Sequence, residues 1–172
     1  MQRGTENLRV GALSLDADRR GRDHHSESLA STAMHLEYLE DAESQTPRVL
    51  LAYGDDPRDA TVLRRAAEAL AAAEEGHEVR VDQLPRFDAV DGCSLSASVG
   101  SVDAGVEPLD GSDRAFCCVL LPPTWKLVSE LLEPFESADL PPPPEGLKVG
   151  ARFQYLSETG PVKWIISTER GW

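Results

Sequence analysis

Residues 48–82 read RVLLAYGDDPRDATVLRRAAEALAAAEEGHEVRVD, and this stretch decides the predicted fold. It opens with a short apolar run at 48–53, which is typical of a strand buried on both faces. Turn residues follow at 54–57, and apolar residues then recur at helical spacing over about 59–75. Residues 78–82 alternate between polar and apolar and indicate a second strand. A strand, a helix and a strand joined this closely predict a right-handed crossover between two parallel strands.

The predicted helix has its own start and stop signals. Asp56 or Asp59 can cap its first turn, and Gly76 is suited to end it. Arg64 and Glu68 lie four residues apart, so their side chains can pair along the helix surface. These signals place the helix between the turn and the second strand.

Apolar segments continue the fold beyond the second strand. They predict a strand at 115–121, a helix at 125–135 and two more strands at 147–156 and 162–167. Residues 83–114 are rich in Gly, Ser and Asp and predict a loop-rich insert with at most one weak strand. The predicted fold class is therefore α/β, with a small, mostly parallel open sheet and flanking helices.

The first 46 residues differ in composition from the rest of the chain. They are rich in Arg, Asp, Glu, Ser and His, and few large apolar residues occur before Met34. We predict that 1–46 is a disordered or marginally helical acidic tail, with a short helix at about 29–43 as its candidate element. The α/β domain then spans 47–172.

Charge and composition exclude some classes of partner. The chain has 172 residues, of which 41% are hydrophobic, and a formal net charge of −13. A surface of that sign repels nucleic-acid phosphates and anionic headgroups, so we predict neither nucleic acid nor a membrane surface as partner. No stretch approaches the ~20 apolar residues of a membrane span, so no direct membrane insertion is predicted. The predicted location is cytoplasmic, as a free chain or as the cytoplasmic part of a membrane receptor.

Three cysteines, at 93, 117 and 118, favour a reducing compartment. Their number is odd, and Cys117 and Cys118 are neighbours in a predicted strand, where side chains point to opposite faces. The spacing matches no zinc motif. We therefore predict buried free thiols.

Residues with catalytic chemistry are few in the predicted domain. It contains one histidine, His77, and neither a nucleophile elbow nor a Gly-rich phosphate-binding loop. Asp55 and Asp56 follow the first strand, at the sheet edge where α/β proteins bind ligands. Two carboxylates there could hold Mg²⁺, but we predict that they cap the helix and complement its dipole. No metal and no cofactor is predicted.

Three segments resemble the SEFIR domain, the cytoplasmic signalling module of interleukin-17 receptors and their adaptor and a relative of the TIR domain. Residues 48–56 resemble the family's first box, an apolar strand followed by Tyr-Ser and an acidic turn, with Gly54 in place of the serine. Residues 78–82 are similar to the second strand with its terminal aspartate, and 117–123 to a strand that ends in a Pro-containing turn. The likeness covers about 47–166. It implies a TIR-like or flavodoxin-like domain, incomplete because no final helix is predicted.

The resemblance implies homotypic docking with another SEFIR domain, in a receptor or adaptor of an interleukin-17 receptor-like pathway. Such a module binds through exposed helix faces and loops rather than through a cleft. The candidate contact residues are Arg58, Arg64 and Arg65 on the first helix and Trp125 and Lys126 at the start of the later one. Trp125 either anchors an interface or packs on the core. The resemblance implies no catalytic residue and no cofactor.

Two alternatives to docking remain open. Some TIR domains cleave NAD with a helix glutamate, and Glu130 or Glu133 stands in such a place. The other alternative is a divergent receiver-like α/β domain without activity. A receiver needs an aspartate at the end of its third strand, where this sequence has Leu121 and Pro122.

Overall fold

The computed structural model describes residues 33–40, 48–137 and 152–170, which form nine strands and two α-helices. The strands are β1 (Met34–Leu39), β2 (Arg48–Tyr53), β3 (Glu78–Arg80), β4 (Phe87–Ala89), β5 (Ser94–Val99), β6 (Gly105–Pro108), β7 (Ala115–Leu120), β8 (Phe153–Ser157) and β9 (Val162–Ser167). The helices are α1 (Pro57–Ala71) and α2 (Pro122–Leu132), with short 3₁₀ turns at Val81–Gln83, Val90–Gly92 and Glu133–Glu136.

The nine strands form one mixed sheet, so the fold class is α/β, as predicted. Neighbours follow the order β3–β5–β7–β6–β9–β2–β1–β4, and β8 also pairs with β9. Three pairs are parallel, namely β1–β4, β2–β9 and β5–β7, whereas the other pairs are antiparallel. The predicted predominance of parallel pairing is wrong. Short connections such as the β8–β9 turn permit antiparallel pairing, whereas parallel neighbours need a long crossover.

The predicted crossover from β2 to β3 does not form a parallel pair. β2 lies between β1 and β9, and β3 lies at the far edge of the sheet, antiparallel to β5. Both Glu78 and Arg80 of β3 are exposed, and Val79 between them packs against the core. A strand of three residues with two charged side chains suits an edge position better than a central one.

The tail prediction for 1–46 is wrong at Met34–Leu39, which is strand β1. This strand pairs with β2 on one side and β4 on the other, and Met34 and Leu36 are buried. The described residues belong to one compact unit, Ser31–Trp172. Alternation at Met34, Leu36 and Tyr38 carries a strand signal that the charged composition around it hides. The rest of the predicted tail, 1–32 and 41–46, lies outside the described residues.

The predicted loop-rich insert at 83–114 contains three strands, β4, β5 and β6. The strand β5 is central, because it pairs with β3 on one side and β7 on the other. Its inward residues Leu95, Ala97 and Val99 are buried and alternate with serines. Small apolar residues between serines resemble loop composition, and the strand forms because its neighbours bury one face.

Several predicted elements are present with small shifts. The helix predicted at 59–75 is α1, and the strand predicted at 115–121 is β7. The helix predicted at 125–135 begins three residues earlier, since Pro122-Pro123 opens α2 rather than only ending the strand. The strand predicted at 162–167 is β9. Of the strand predicted at 147–156, the described part is β8, and 147–151 lies outside the described residues.

Both helices pack on the same face of the sheet. Leu50 and Ala52 of β2 belong to one apolar core with Leu63 of α1 and Val128 of α2. A smaller apolar cluster lies on the opposite face of the sheet. It consists of Val49 and Leu51 of β2 and Ile165 of β9, and Leu39, Tyr53 and Tyr155 pack against it. The outer faces of α1 and α2 therefore form one side of the domain. Within the described residues, neither helix is long and apolar enough to cross a membrane.

Candidate docking surface

The helix α1 begins where the sequence predicts, at an aspartate cap. The Asp56 side chain accepts a hydrogen bond from the Arg58 backbone N–H at 2.9 Å, and Pro57 occupies the first turn. Asp56 is therefore the residue that satisfies a free N–H of the helix start. This confirms the capping role that the sequence suggested for Asp56 or Asp59.

Arg58, the first predicted contact residue, is exposed but held by that cap. Its Nη2 lies 2.6 Å from Asp56 Oδ2, and its Nε lies 3.0 Å from Asp56 Oδ1. The hydrogen bonds from Arg58 and the charge of Arg86 hold the pKa of the Asp56 carboxyl well below its usual range. Arg58 thus stabilises the start of α1, whatever else it contacts.

A second carboxylate, Asp59, is buried under the same helix start. Arg86 bridges the two acids, since its Nη2 lies 2.6 Å from Asp56 Oδ2 and its Nε donates to Asp59 Oδ1. Burial raises the pKa of Asp59, although the hydrogen bond from Arg86 opposes this. Because the Arg86 carbonyl also accepts a hydrogen bond from the Met34 backbone N–H, the group ties α1 to β1.

A small cavity of about 170 Å³ lies beside this charged group, at the carboxyl end of β2. Asp55, Asp56, Phe135, Ser137 and Thr168 contribute to its wall. Among the described residues, no three His, Cys, Asp or Glu side chains stand together as metal ligands. The cap accounts for Asp56, so the arrangement favours the structural role over the magnesium alternative.

Arg64, the second predicted contact residue, is engaged inside the domain. Its side chain is one quarter exposed, and its guanidinium lies 2.5 Å from Glu68 and 2.8 Å from Glu136. The first pair is the helical pair that the sequence predicts, and the second ties α1 to the 3₁₀ turn after α2. Arg65 next to it is exposed, so on α1 the accessible predicted cations are Arg58 and Arg65.

Trp125 lies in the core rather than on the surface. It is 1% exposed, its Nε1 donates to the Ser98 carbonyl at 3.0 Å, and its ring meets Trp164 edge to face at 6.2 Å. This is the core packing that the sequence left open as the alternative. Trp125 therefore anchors α2 to the sheet and does not present its ring to a partner.

The outer face of α2 carries an exposed apolar residue, Leu127, that is not among the predicted contact residues. Leu127 is 52% exposed, with exposed Lys126 before it and exposed Glu130 one turn after it. The buried residues of α2 are Trp125, Val128, Ser129 and Leu132. Leu127 does not share the helical spacing of these buried residues, so a helical wheel of 122–132 could have identified it as exposed. We call the exposed residues Lys126, Leu127 and Glu130 the α2 stripe.

The glutamates of the NAD-cleaving alternative also lie here. Glu130 and Glu133 are both exposed, and neither contributes to the wall of the 170 Å³ cavity. A hydrolytic glutamate acts on a substrate held in a concave site, so this cavity adds no support for the NAD-cleaving alternative, which stays a hypothesis.

The cysteines are free thiols, as predicted. Cys93 and Cys118 are buried and Cys117 is half-buried. Burial raises the pKa of the Cys93 thiol to about 11 and also raises the pKa values of Cys117 and Cys118. A nucleophilic cysteine needs a lowered pKa, so these pKa shifts do not favour a nucleophile. Cys93 and Cys118 are part of the apolar core.

Comparison with known proteins returns no significant match, neither to a family model, nor to a curated protein, nor to a solved structure. The SEFIR likeness of 48–56, 78–82 and 117–123 therefore stays a prediction. Its implied parallel sheet differs from the observed pairing, in which β3 runs antiparallel to its neighbour.

Proposed function

We propose that this chain is a docking module that binds a second domain of its own type through the outer face of α1 and α2. The observation that carries the proposal is Leu127, an apolar side chain about half exposed in the middle of α2 and bordered by charged residues. Apolar centres with a polar rim are the common anatomy of protein interfaces.

The inner side of α2 supports a rigid contact surface. Trp125, Val128 and Leu132 are each buried at 1% exposure or less, and α1 packs beside them. A helix fixed in this way loses little conformational freedom on binding, because its backbone is already ordered. The outer residues are thus presented in one orientation.

The SEFIR resemblance also implies a docking role. On the strength of that resemblance, the proposal includes a cytoplasmic location and an interleukin-17 receptor-like pathway. The contact residues change, however, because Trp125 is buried and Arg64 is tied to Glu68 and Glu136. The accessible candidates are Arg58, Arg65, Lys126 and Leu127.

Sedimentation equilibrium of the purified chain and its Leu127→Asp variant tests the proposal. We expect the wild type to self-associate and Leu127→Asp to sediment as a monomer, since a charge at the centre of an interface is left desolvated and unpaired. Because Leu127 is exposed, the circular dichroism spectrum of the variant should match that of the wild type.

Leu109→Asp is the matched control. Leu109 is 43% exposed directly after β6 and lies beside residues of β3, β5 and β7, so the substitution adds the same charge to an exposed leucine outside both helices. We expect Leu109→Asp to associate like the wild type. A wild-type chain that stays monomeric up to about 1 mM, or equal loss in both variants, contradicts docking through this face.

A further inference from the structure

We propose that two copies dock α2 against α2 around a two-fold axis, antiparallel, so that Lys126 of each copy faces Glu130 of the other. The inference rests on the proposed function and specifies the partner surface, which is the α2 stripe of a second copy. The stripe contains one cation, one apolar residue and one anion, Lys126, Leu127 and Glu130.

The order of charges along α2 makes the stripe complementary to itself. In an antiparallel pair, the first part of one helix lies against the last part of the other. Lys126 then meets Glu130 twice, once on each side of Leu127. A parallel pair would instead bring like charges together, with Lys126 against Lys126. A two-fold contact between identical surfaces needs this self-complementarity.

Both charged groups are free to make these contacts. Among the described residues, neither the Lys126 ammonium nor the Glu130 carboxylate has an ion-pair partner. An internal pair between them is the less favourable arrangement on a helix, because the lysine precedes the glutamate. The side chains can therefore exchange water for a partner across the axis.

Two further features favour this arrangement. Leu127 lies between the charged positions, so the axis brings the two Leu127 side chains into the same apolar centre. Antiparallel helices also align their dipoles favourably. One face of an eleven-residue helix is small beside the roughly 800 Å² per partner of a standard interface, so we expect a weak complex.

A charge-swap experiment tests the arrangement. In Lys126→Glu, the introduced carboxylate of each copy meets Glu130 of the other, and in Glu130→Lys two ammonium groups meet. We expect each variant alone to self-associate about tenfold more weakly than the wild type. An equimolar mixture of the two variants restores both ion pairs, since one copy then carries two carboxylates and the other two ammonium groups. Sedimentation equilibrium should therefore show a heterodimer that is tighter than either homodimer. The double variant Lys126→Glu/Glu130→Lys restores both ion pairs and should recover the self-association of the wild type.

Two controls separate local pairing from net charge. Arg114→Glu and Asp110→Lys make the same changes of net charge at exposed positions between β6 and β7, and should leave the association of the wild type almost unchanged. If the wild type associates through Leu127 but the double variant does not recover, the two-fold arrangement is wrong and docking by another geometry stands. If the wild type does not associate at all, the proposed function fails and this inference fails with it.

Discussion

At the scale of single residues, an ion pair between buried Glu37 and exposed Arg170 joins the segment after β9 to β1. Glu37 is 5% exposed, and Arg170 donates to both of its oxygens, at 2.6 and 2.8 Å. Tyr53 also helps to lower the pKa of this carboxylate. Sequence patterns cannot predict the pair, because 133 positions separate its members and only the folded sheet brings them together. The same is true of Asp59 and Arg86.

The two members of this pair should differ in their effect on stability. Removing the carboxylate in Glu37→Gln leaves Arg170, which is 66% exposed, in water, and we expect a loss of about 1 kcal/mol in the free energy of unfolding. Arg170→Ala should lose more, since it leaves a charged carboxylate buried without its main donor. Urea denaturation at pH 7 measures both, and equal losses would contradict the asymmetry.

The ion pair between Glu37 and Arg170 also determines how the stability of the fold depends on pH. The hydrogen bond from Arg170 is the main cause that lowers the pKa of Glu37 below its ordinary value of 4.5. A folded-state pKa below the unfolded one contributes stability that is present above the unfolded-state value and is lost as the pH falls through the folded-state value. The difference in stability between the wild type and Glu37→Gln, measured by urea denaturation across pH, should therefore shrink below pH 4.5.

At the scale of elements, two glycines allow β6 to enter the sheet beside the β8–β9 turn. Gly105 has a φ of +78°, and a Cβ there would overlap the carbonyl oxygen of Thr159. Gly160 in that turn has a φ of +87° and faces the carbonyl oxygen of Val106. The two backbones touch where a side chain has no room, and the single β6–β9 bridge, Val106–Val162, forms next to this contact.

Gly105→Ala should therefore destabilise the fold strongly. It combines a left-handed backbone with a steric overlap against main chain, and we expect a loss of roughly 3 kcal/mol or more in the free energy of unfolding. Gly111→Ala is the matched control, because Gly111 has a φ of +79° with nothing within 4 Å of its Cβ position. In that variant the free energy of unfolding should fall by about 1–2 kcal/mol, because only the left-handed backbone opposes the alanine. Similar losses in both variants, measured by urea denaturation, would contradict a steric role for Gly105.

The elements also show what local patterns can predict. Periodicity and cap residues predict α1, because helix formation depends on residues within a few positions of one another. The strands β1 and β5 are not predicted, because Met34–Leu39 lies beside charged residues and the apolar residues of Ser94–Val99 alternate with serines. Strand order escapes it too, because pairing joins segments far apart in the chain. The same limit applies to the predicted docking residues. The sequence cannot decide whether Trp125 binds a partner or packs in the core, because its burial depends on the folded sheet.

At the scale of the whole molecule, the net charge of −13 opposes any contact between two copies. This repulsion acts over the Debye length, which falls from about 30 Å at 0.01 M salt to about 8 Å at 0.15 M. The proposed pairs between Lys126 and Glu130 act at contact distance, so the same change in salt screens them less.

Self-association should therefore strengthen several-fold between roughly 0.01 M and 0.15 M sodium chloride, as the long-range term is removed. Sedimentation equilibrium at both concentrations measures the change. Asp110→Lys lowers the net negative charge by two units without touching the α2 stripe, so its association should rise less over the same range. If association instead weakens as salt is added, the contact ion pairs outweigh the long-range repulsion between the two negatively charged copies. That outcome would contradict this prediction.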